Sequence, residues 1–378
     1  MANDFNGSIA QNYITFATTV TSTTVAGANY QNVMLFVGSG EAASGGYFTA
    51  SGVQPVGTLL SFNASTYGSA MGGQLLTDMT NFFAGTTLPT VYVSIYDDAA
   101  TAGGTVFPAA TVSGLSTQFN ANHTLAYFKH MTMNLGAAHS ALATLCSSDT
   151  LLSQCWIDTS DANVLSPSDT TSVRYLCAQA GSDPVIVYHA TTTIDGALVQ
   201  LGLTLGFLNT TGTSVGNNMD YLATSQIITS GGSSGPLSAT NMTILSNLNV
   251  GFYLYLGDTS GRVALRGGKT LKGNLPAAQW LVNYVDYMCQ VESAQYLTQF
   301  NHFKNNDTYQ GILTILRTVL SPFADFGRLS YVKITAPTFA NLPPTNGQSI
   351  TIPNAWQATF NDNVRNVVVN GSLYIALS

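Results

Sequence analysis

Apolar positions along this chain switch repeatedly between a period of two and a period near 3.6. Val33 to Val37 is an unbroken apolar run closed by the turn Gly38-Ser39-Gly40, the pattern of a buried strand. From Ser65 to Phe83, Tyr67, Met71, Leu75, Met79 and Phe82 recur at helical spacing, and Val91 to Tyr96 then gives a second apolar strand ended by Asp97-Asp98. The alternation continues with a helix over Ala137 to Ser147, a strand Gln154 to Ile157, a helix Ser168 to Ala180 and a strand Val185 to Tyr188. Strand, helix, strand in succession predicts a mixed or parallel sheet with flanking helices, an α/β (mixed α+β) fold.

Further along, a helix is expected over Ile194 to Leu205 and another over Ser238 to Asn247, with Ser238 as its cap. Val250 to Leu256 alternates as a strand, and Gly251 to Lys272 reads as a hairpin with glycine-rich ends. Trp280, Tyr284, Met288 and Val291 form a stripe that must face a core or a partner. A second helix follows, capped at Thr308, carrying Ile312, Ile315, Leu316 and Val319, and stopped by Ser321-Pro322. The last segment holds a strand Ser330 to Thr335, a loop through Pro343-Pro344 and Pro353, and terminal strands near 366–369 and 372–377 separated by Asn370-Gly371. Both ends are β-prone: Ile14, Thr15, Thr18, Thr19, Val20 and Val25 show no helical period, and neither end can build a core alone. The expected division is an arm over 1–20, an outer α/β region over 21–215, a second domain over 216–363 and a terminal arm over 364–378. No internal repeat of fixed period appears.

Composition sharpens this picture. Only 8% of the 378 residues are charged, against about 25% in ordinary soluble domains. A polar but uncharged surface can be buried against a partner without the desolvation cost of an unmatched Lys or Glu, which suits a subunit surrounded by copies of itself. An extracellular or halotolerant protein with a neutral coat would share the composition. The net charge of -7 and the absence of a dense basic block argue against nucleic-acid binding. Asp4 sits where a secretory leader needs basic residues, so the chain is expected to stay in a cytoplasm. The near-apolar stretch Leu198 to Leu208 falls short of the ~20 residues a membrane span requires. Cys146, Cys155, Cys177 and Cys289 form no C-x-x-C pair and are expected as buried free thiols.

Candidate chemistry is thin. Gly231-Gly232-Ser233-Ser234-Gly235 matches the G-x-S-x-G string, but a nucleophile elbow needs a helix straight after Ser233, and Pro236 and Leu237 intervene. Gly38-Ser39-Gly40 lacks the third glycine of a dinucleotide loop. His123, His130, His139, His189 and His302 show no H-E-x-x-H and no carboxylate at ligand spacing; His189 ends an apolar strand as a structural histidine would. Asp97-Asp98 reads as a turn, and the N-x-[ST] strings follow from an Asn/Thr/Ser-rich composition. Arg262, Arg266, Lys269 and Lys272 gather 4 of the 11 basic residues, either as a solvated loop or as a contact for an acidic partner surface.

The order of segments resembles the tail-sheath family of contractile phages, in its compact branch. The resemblance rests on the β-rich start, Phe82-Phe83 and Thr87-Leu88-Pro89 before Val91-Tyr92-Val93-Ser94-Ile95, and on Ser182-Asp183-Pro184-Val185-Ile186-Val187-Tyr188-His189 before a small-residue helix. It continues through Leu237 to Leu248, Val250-Gly251-Phe252-Tyr253-Leu254-Tyr255 and Gly267-Gly268-Lys269, to Gln279-Trp280-Leu281 and Tyr309-Gln310-Gly311-Ile312, each opening a long helix. The chain departs from the family in its scarcity of Lys and Arg and in Phe303-Lys304-Asn305-Asn306, which stands in place of a Lys-Ile-Pro lead. The resemblance implies a virion structural protein, assembled in the host cytoplasm. Its subunits would stack as hexameric rings around a tail tube, contract without a cofactor or enzyme activity, and meet baseplate and tail terminator proteins. On that reading Arg262, Arg266, Lys269, Lys272 and Trp280 face the tube, while Ile14, Phe16, Val367, Val369, Leu373 and Ile375 belong to arms that add strands to neighbouring subunits. Another structural subunit, of a capsid, tube or surface array, remains the alternative, and a hydrolase using Ser233 the third.

Overall fold

The computed structural model describes residues 30–39, 46–49, 55–87, 89–97, 109–122, 125–132, 153–191, 195–206, 223–224, 229–232, 235–255, 261–299, 305–325, 329–342, 352, 355–361 and 366–371. Among these the strands β1 (Val33–Gly38), β2 (Leu59–Phe62), β3 (Val91–Tyr96), β4 (Phe128–Met131), β5 (Gln154–Thr159), β6 (Val185–Tyr188), β7 (Ala223–Thr224), β8 (Gly251–Tyr255) and β9 (Val263–Arg266) form one sheet. Its order is β2-β3-β1-β4-β5-β6-β8-β9-β7. From β3 through β8 neighbours run parallel, and β2, β9 and β7 close the two sides antiparallel. The α/β fold expected from strand-helix alternation is what the chain adopts.

Alternation at single-residue resolution explains why helices cover both faces. Val33, Leu35 and Val37 point into one apolar cluster, while Met34 and Phe36 point into the other. Val185 and Val187 against Ile186 and Tyr188 repeat the split on β6. Strands buried on both faces need a layer on each side. The first face is covered by α2 (Gly73–Gly85), after the short α1 (Tyr67–Ala70), and by α5 (Gly196–Gly206) and α7 (Pro276–Gln299), with α8 (Asn306–Asp325) packed on α7. The second is covered by α3 (Ala109–Asn122), α4 (Val173–Gln179) and α6 (Ala239–Asn247).

The layer of α2 and α5 is closely packed because it is built on glycine. A Cβ on Gly202 would run into the carbonyl of Phe82, and one on Gly85 would lie 2.6 Å from the backbone of Gly202. Beyond this layer, α8 buries Tyr309, Ile312, Leu316, Val319 and Phe323. Against it sits a three-stranded antiparallel sheet, β10 (Leu329–Ile334), β11 (Trp356–Asn361) and β12 (Asn366–Gly371). Leu329 and Trp356 extend the first apolar cluster into that sheet. β7, β8 and β9 complete the main sheet, so hydrogen bonding runs across the expected boundary at residues 215 and 216. No helix among the described residues is long and apolar enough to cross a membrane.

Several elements differ from the sequence expectation. The helix expected over Ser65 to Phe83 breaks at Met71-Gly72, because the segment 46–49 crosses there. Thr49 N donates to Ala70 O at 3.0 Å and Gly72 N to Tyr47 O at 2.8 Å. The helix expected from Ser168 begins only at Val173; Asp169 Oδ1 accepts from Thr171 N and Ser172 N, turning the chain, and the Ser172 side chain caps the helix by accepting from Tyr175 N. Asn305, not Thr308, caps α8, accepting from Thr308 N at 2.9 Å. Pro322 does not stop that helix: Phe323, buried against Tyr284, holds one more turn in place. Asn370-Gly371 are paired residues of β12 rather than a turn. The helix expected at 137–147 and the strand at 372–377 lie outside the described residues.

Candidate functional site

Among the described residues, one group of ionisable side chains converges inside the fold. His130 comes from β4, Asp158 from β5, and Asp195 stands directly before α5. His130 is fully buried, and Asp158 and Asp195 are 3% and 8% exposed. Parallel pairing of β4 with β5 sets His130 opposite Trp156, so His130 and Asp158 lie two residues apart on neighbouring strands and on the face that α5 covers.

The contacts are closed and directional. His130 Nε2 lies 2.7 Å from Asp195 Oδ2, and His130 Nδ1 lies 3.0 Å from the carbonyl of Trp156. A carbonyl only accepts, so Nδ1 carries a hydrogen and donates it. Asp195 Oδ1 accepts from Leu198 N at 2.9 Å, the geometry of a helix N-cap. Both oxygens of Asp158 accept from Ala197 N, at 3.0 and 3.1 Å. Tyr253 of β8 completes the ring: its hydroxyl donates to Gly196 O at 2.7 Å. The first turn of α5 is therefore gripped by side chains from two strands and by its own cap.

The two carboxyls are near neighbours, with ligand atoms within 4.8 Å of one another, and they behave oppositely. Burial, followed by the neighbouring Asp195 charge, raises Asp158 well above the usual carboxylate range. Asp195 is also penalised by burial, yet it ends below that range because of His130, the adjoining Asp158 carboxyl and the hydrogen bond from Leu198 N. Burial and the two carboxyls push the Tyr253 phenol up, so it stays a neutral donor.

His130, Asp158 and Asp195 offer ligand atoms within 4.8 Å of one another, close enough for one cation. Their lone pairs are already committed to amides and to one another, and the positive end of the α5 dipole faces the same point. That chemistry fits shared hydrogens better than a metal. With all three side chains buried beneath α5, these acid–base groups are placed to serve the fold.

The structure separates the residues singled out from sequence. Arg262 is exposed at the start of β9, and Arg266 lies at its other end, about 13 Å away for four residues of strand. Lys269 is half-buried and Lys272 exposed, in a loop fixed to the start of β6 by Leu271 N donating to Pro184 O and Lys272 N to Asp183 Oδ1. The basic residues thus divide into one at one end of the strand and three around the other. Trp280 leaves the set of surface candidates: it is fully buried, donates Nε1–H to Tyr30 O at 2.8 Å and stacks on Tyr284. An indole so placed serves the core, where it fixes the start of α7 to the residues leading into β1.

Val367 and Val369 fall on β12 opposite Phe360 and Ala358, so this segment pairs within its own chain instead of standing free as an arm. Ile14, Phe16, Leu373 and Ile375 lie outside the described residues, as do Cys146 and Ser233. The helix after the Gly/Ser loop begins at Ala239, too late to follow Ser233 directly. In that loop it is Ser230 that is anchored, donating to Tyr188 O at 2.6 Å and accepting from Tyr253 N at 2.7 Å. His189 is buried and its Nδ1 accepts from Thr191 N. Cys177 and Cys289 are buried free thiols, and Cys155 is half-buried.

One surface feature escaped sequence reading. Tyr331 is 87% exposed and sits in the left-handed region, φ 52°, where the register of β10 against β11 slips between Ser330 and Lys333. An aromatic held in a strained bulge and aimed at solvent is a contact candidate.

No family profile matches the chain, and no curated protein matches it by sequence. Among solved structures it is similar to a chain in the cryo-EM structure of the anti-feeding prophage (AFP) baseplate, 6-fold symmetrised, with a TM-score of 0.51 and 12% identity over 83% of this chain and 85% of that one. At that identity the likeness establishes a shared fold.

Proposed function

We propose that the chain is a non-enzymatic structural subunit of a contractile, phage-tail-like machine, of the sheath type. The observation that carries this is the fold shared with a protein of the AFP baseplate assembly across most of both chains. Two further observations support it: the segment order resembles tail sheaths, and only 8% of residues are charged, which suits a body covered by copies of itself. In this role the α/β body is a rigid block that packs as hexameric rings around a tail tube, and contraction exchanges one packing of blocks for another, a small gain per subunit multiplied along the polymer. Partners are its own copies, the tube protein, and baseplate and terminator proteins at the ends. Arg266, Lys269 and Lys272 remain candidates for the tube-facing side.

A second reading, a baseplate subunit, is favoured by the setting of the similar solved chain, which belongs to a baseplate structure. Co-sedimentation separates the two. A sheath subunit pellets with polymerised tube protein at a fixed stoichiometry, in an amount that rises with tube length, whereas a baseplate subunit saturates at tube ends. Absence of binding to tubes of any length contradicts both.

A further inference from the structure

The hydrogens of the buried cluster can be counted from its partners. One is on His130 Nδ1, facing the Trp156 carbonyl; one lies between His130 Nε2 and Asp195; one is held by the buried Asp158 carboxyl, whose ligand atom lies within 4.8 Å of those of Asp195 and His130. With these three in place the group of one imidazole and two carboxyls is neutral. Removing one leaves a net negative charge in the interior, and adding one leaves a net positive charge. Neither can be hydrated at these depths, and an uncompensated buried charge is strongly destabilising.

We propose that His130, Asp195 and Asp158 form a two-sided pH latch on the first turn of α5, closed only while the cluster holds its three hydrogens. The latch grips the first turn of α5, where Asp195 and Asp158 hold Leu198 N and Ala197 N and Tyr253 holds Gly196 O; losing the Asp158 hydrogen sets two buried carboxylates against each other on that turn. Release at this end propagates into the α2–α5 layer, because α5 meets α2 backbone to backbone at Gly202 and Phe82 and has no side chain there to absorb a shift. The ionisable groups facing the cluster are His130 on β4, Asp158 on β5, Asp195 before α5, Tyr253 on β8 and, from α2, Asp78, whose charge adds to the rise of Asp158 and whose Oδ1 accepts from Gln74 Nε2. The latch operates whatever the chain assembles into.

The two carboxyls set the two sides. Asp158 is raised, so its contribution is complete below the unfolded carboxylate range of about 4 and is lost as pH climbs through its folded value. Asp195 is lowered, so its contribution is present above that range and is lost as pH falls through its folded value.

The test is the thermal midpoint of the full-length chain from pH 3 to pH 10, for the native protein and for Asp158→Asn. Asparagine keeps the acceptor for Ala197 N and has no carboxyl hydrogen to lose, so neutrality no longer depends on pH at that position. The native protein is expected to lose midpoint on both sides, and Asp158→Asn to lose the alkaline decline while keeping the acid one. Parallel alkaline declines for the two proteins overturn the latch. If Asp158→Asn does not fold, amide exchange at Ala197 and Leu198 in the native protein decides: protection, corrected for intrinsic rates, falls at least about tenfold per unit of pH above the folded value of Asp158 if the latch opens there, and constant protection overturns it.

Discussion

Tyr331 and Gly202 are opposite kinds of residue, one exposed on the surface and one packed against backbone inside. Replacing Tyr331 with Ala removes an exposed ring and should leave folding stability within about 0.5 kcal/mol. If that ring is an interface anchor, the same change weakens self-assembly by about 2 kcal/mol, read as a roughly thirtyfold higher critical concentration in light scattering. Gly202→Ala should do the reverse. Its Cβ meets the Phe82 carbonyl, so denaturant unfolding should show a loss of about 1–3 kcal/mol. Such roles are hard to read from a sequence. Tyr331 sits in an alternating pattern that gives no sign of a bulge, and Gly202 looks like any glycine in the small-residue stretch around it. The buried cluster was less legible still. His130, Asp158 and Asp195 are scattered along the chain and carry no motif, and only the parallel register of β4 with β5 and the cap of α5 bring them together.

Elements were legible where one face or both faces impose a clear period. β1 and β6 are continuous apolar runs and β3 is broken only by Ser94, because helices cover both sides, and α8 shows its stripe because one side is wet. Expectation failed where the cause lay elsewhere in the chain: Met71-Gly72 interrupts a good helical pattern because segment 46–49 bonds across it, and Phe323 carries α8 past Pro322. Helix α3 gives no clear period because Leu115 and Phe119 are buried amid Ser, Thr, Asn and Gln. β12 is β-prone in sequence, but propensity does not name a partner, and the strand pairs with β11 of its own chain and not with a neighbour's. Its pairing makes a prediction. Deleting 366–378 uncovers the edge of β11, and such a chain should self-associate or aggregate more readily than the native one in size-exclusion chromatography. An unchanged elution profile would mean that the edge is covered by other means.

For the whole molecule, the sequence pattern was sufficient to give the α/β class, and the low charge density pointed toward burial among copies. It could not show that one sheet crosses residues 215 and 216, because β6 and β8 are distant in sequence and pair only in the folded chain. With few charges to screen, contacts between subunits should depend weakly on salt, and assembled material should persist from about 0.1 to 1 M NaCl in sedimentation. Dissociation in that range would place the binding energy in ion pairs, with Arg262, Arg266, Lys269 and Lys272 as the first residues to examine. The central claim is that this body works by polymerising around a tube, and electron microscopy of the purified full-length chain mixed with its tube protein tests it most directly. The account predicts hollow, six-fold striated sleeves on the tubes; bare tubes beside dispersed monomers, at concentrations well above those of assembly, would contradict it.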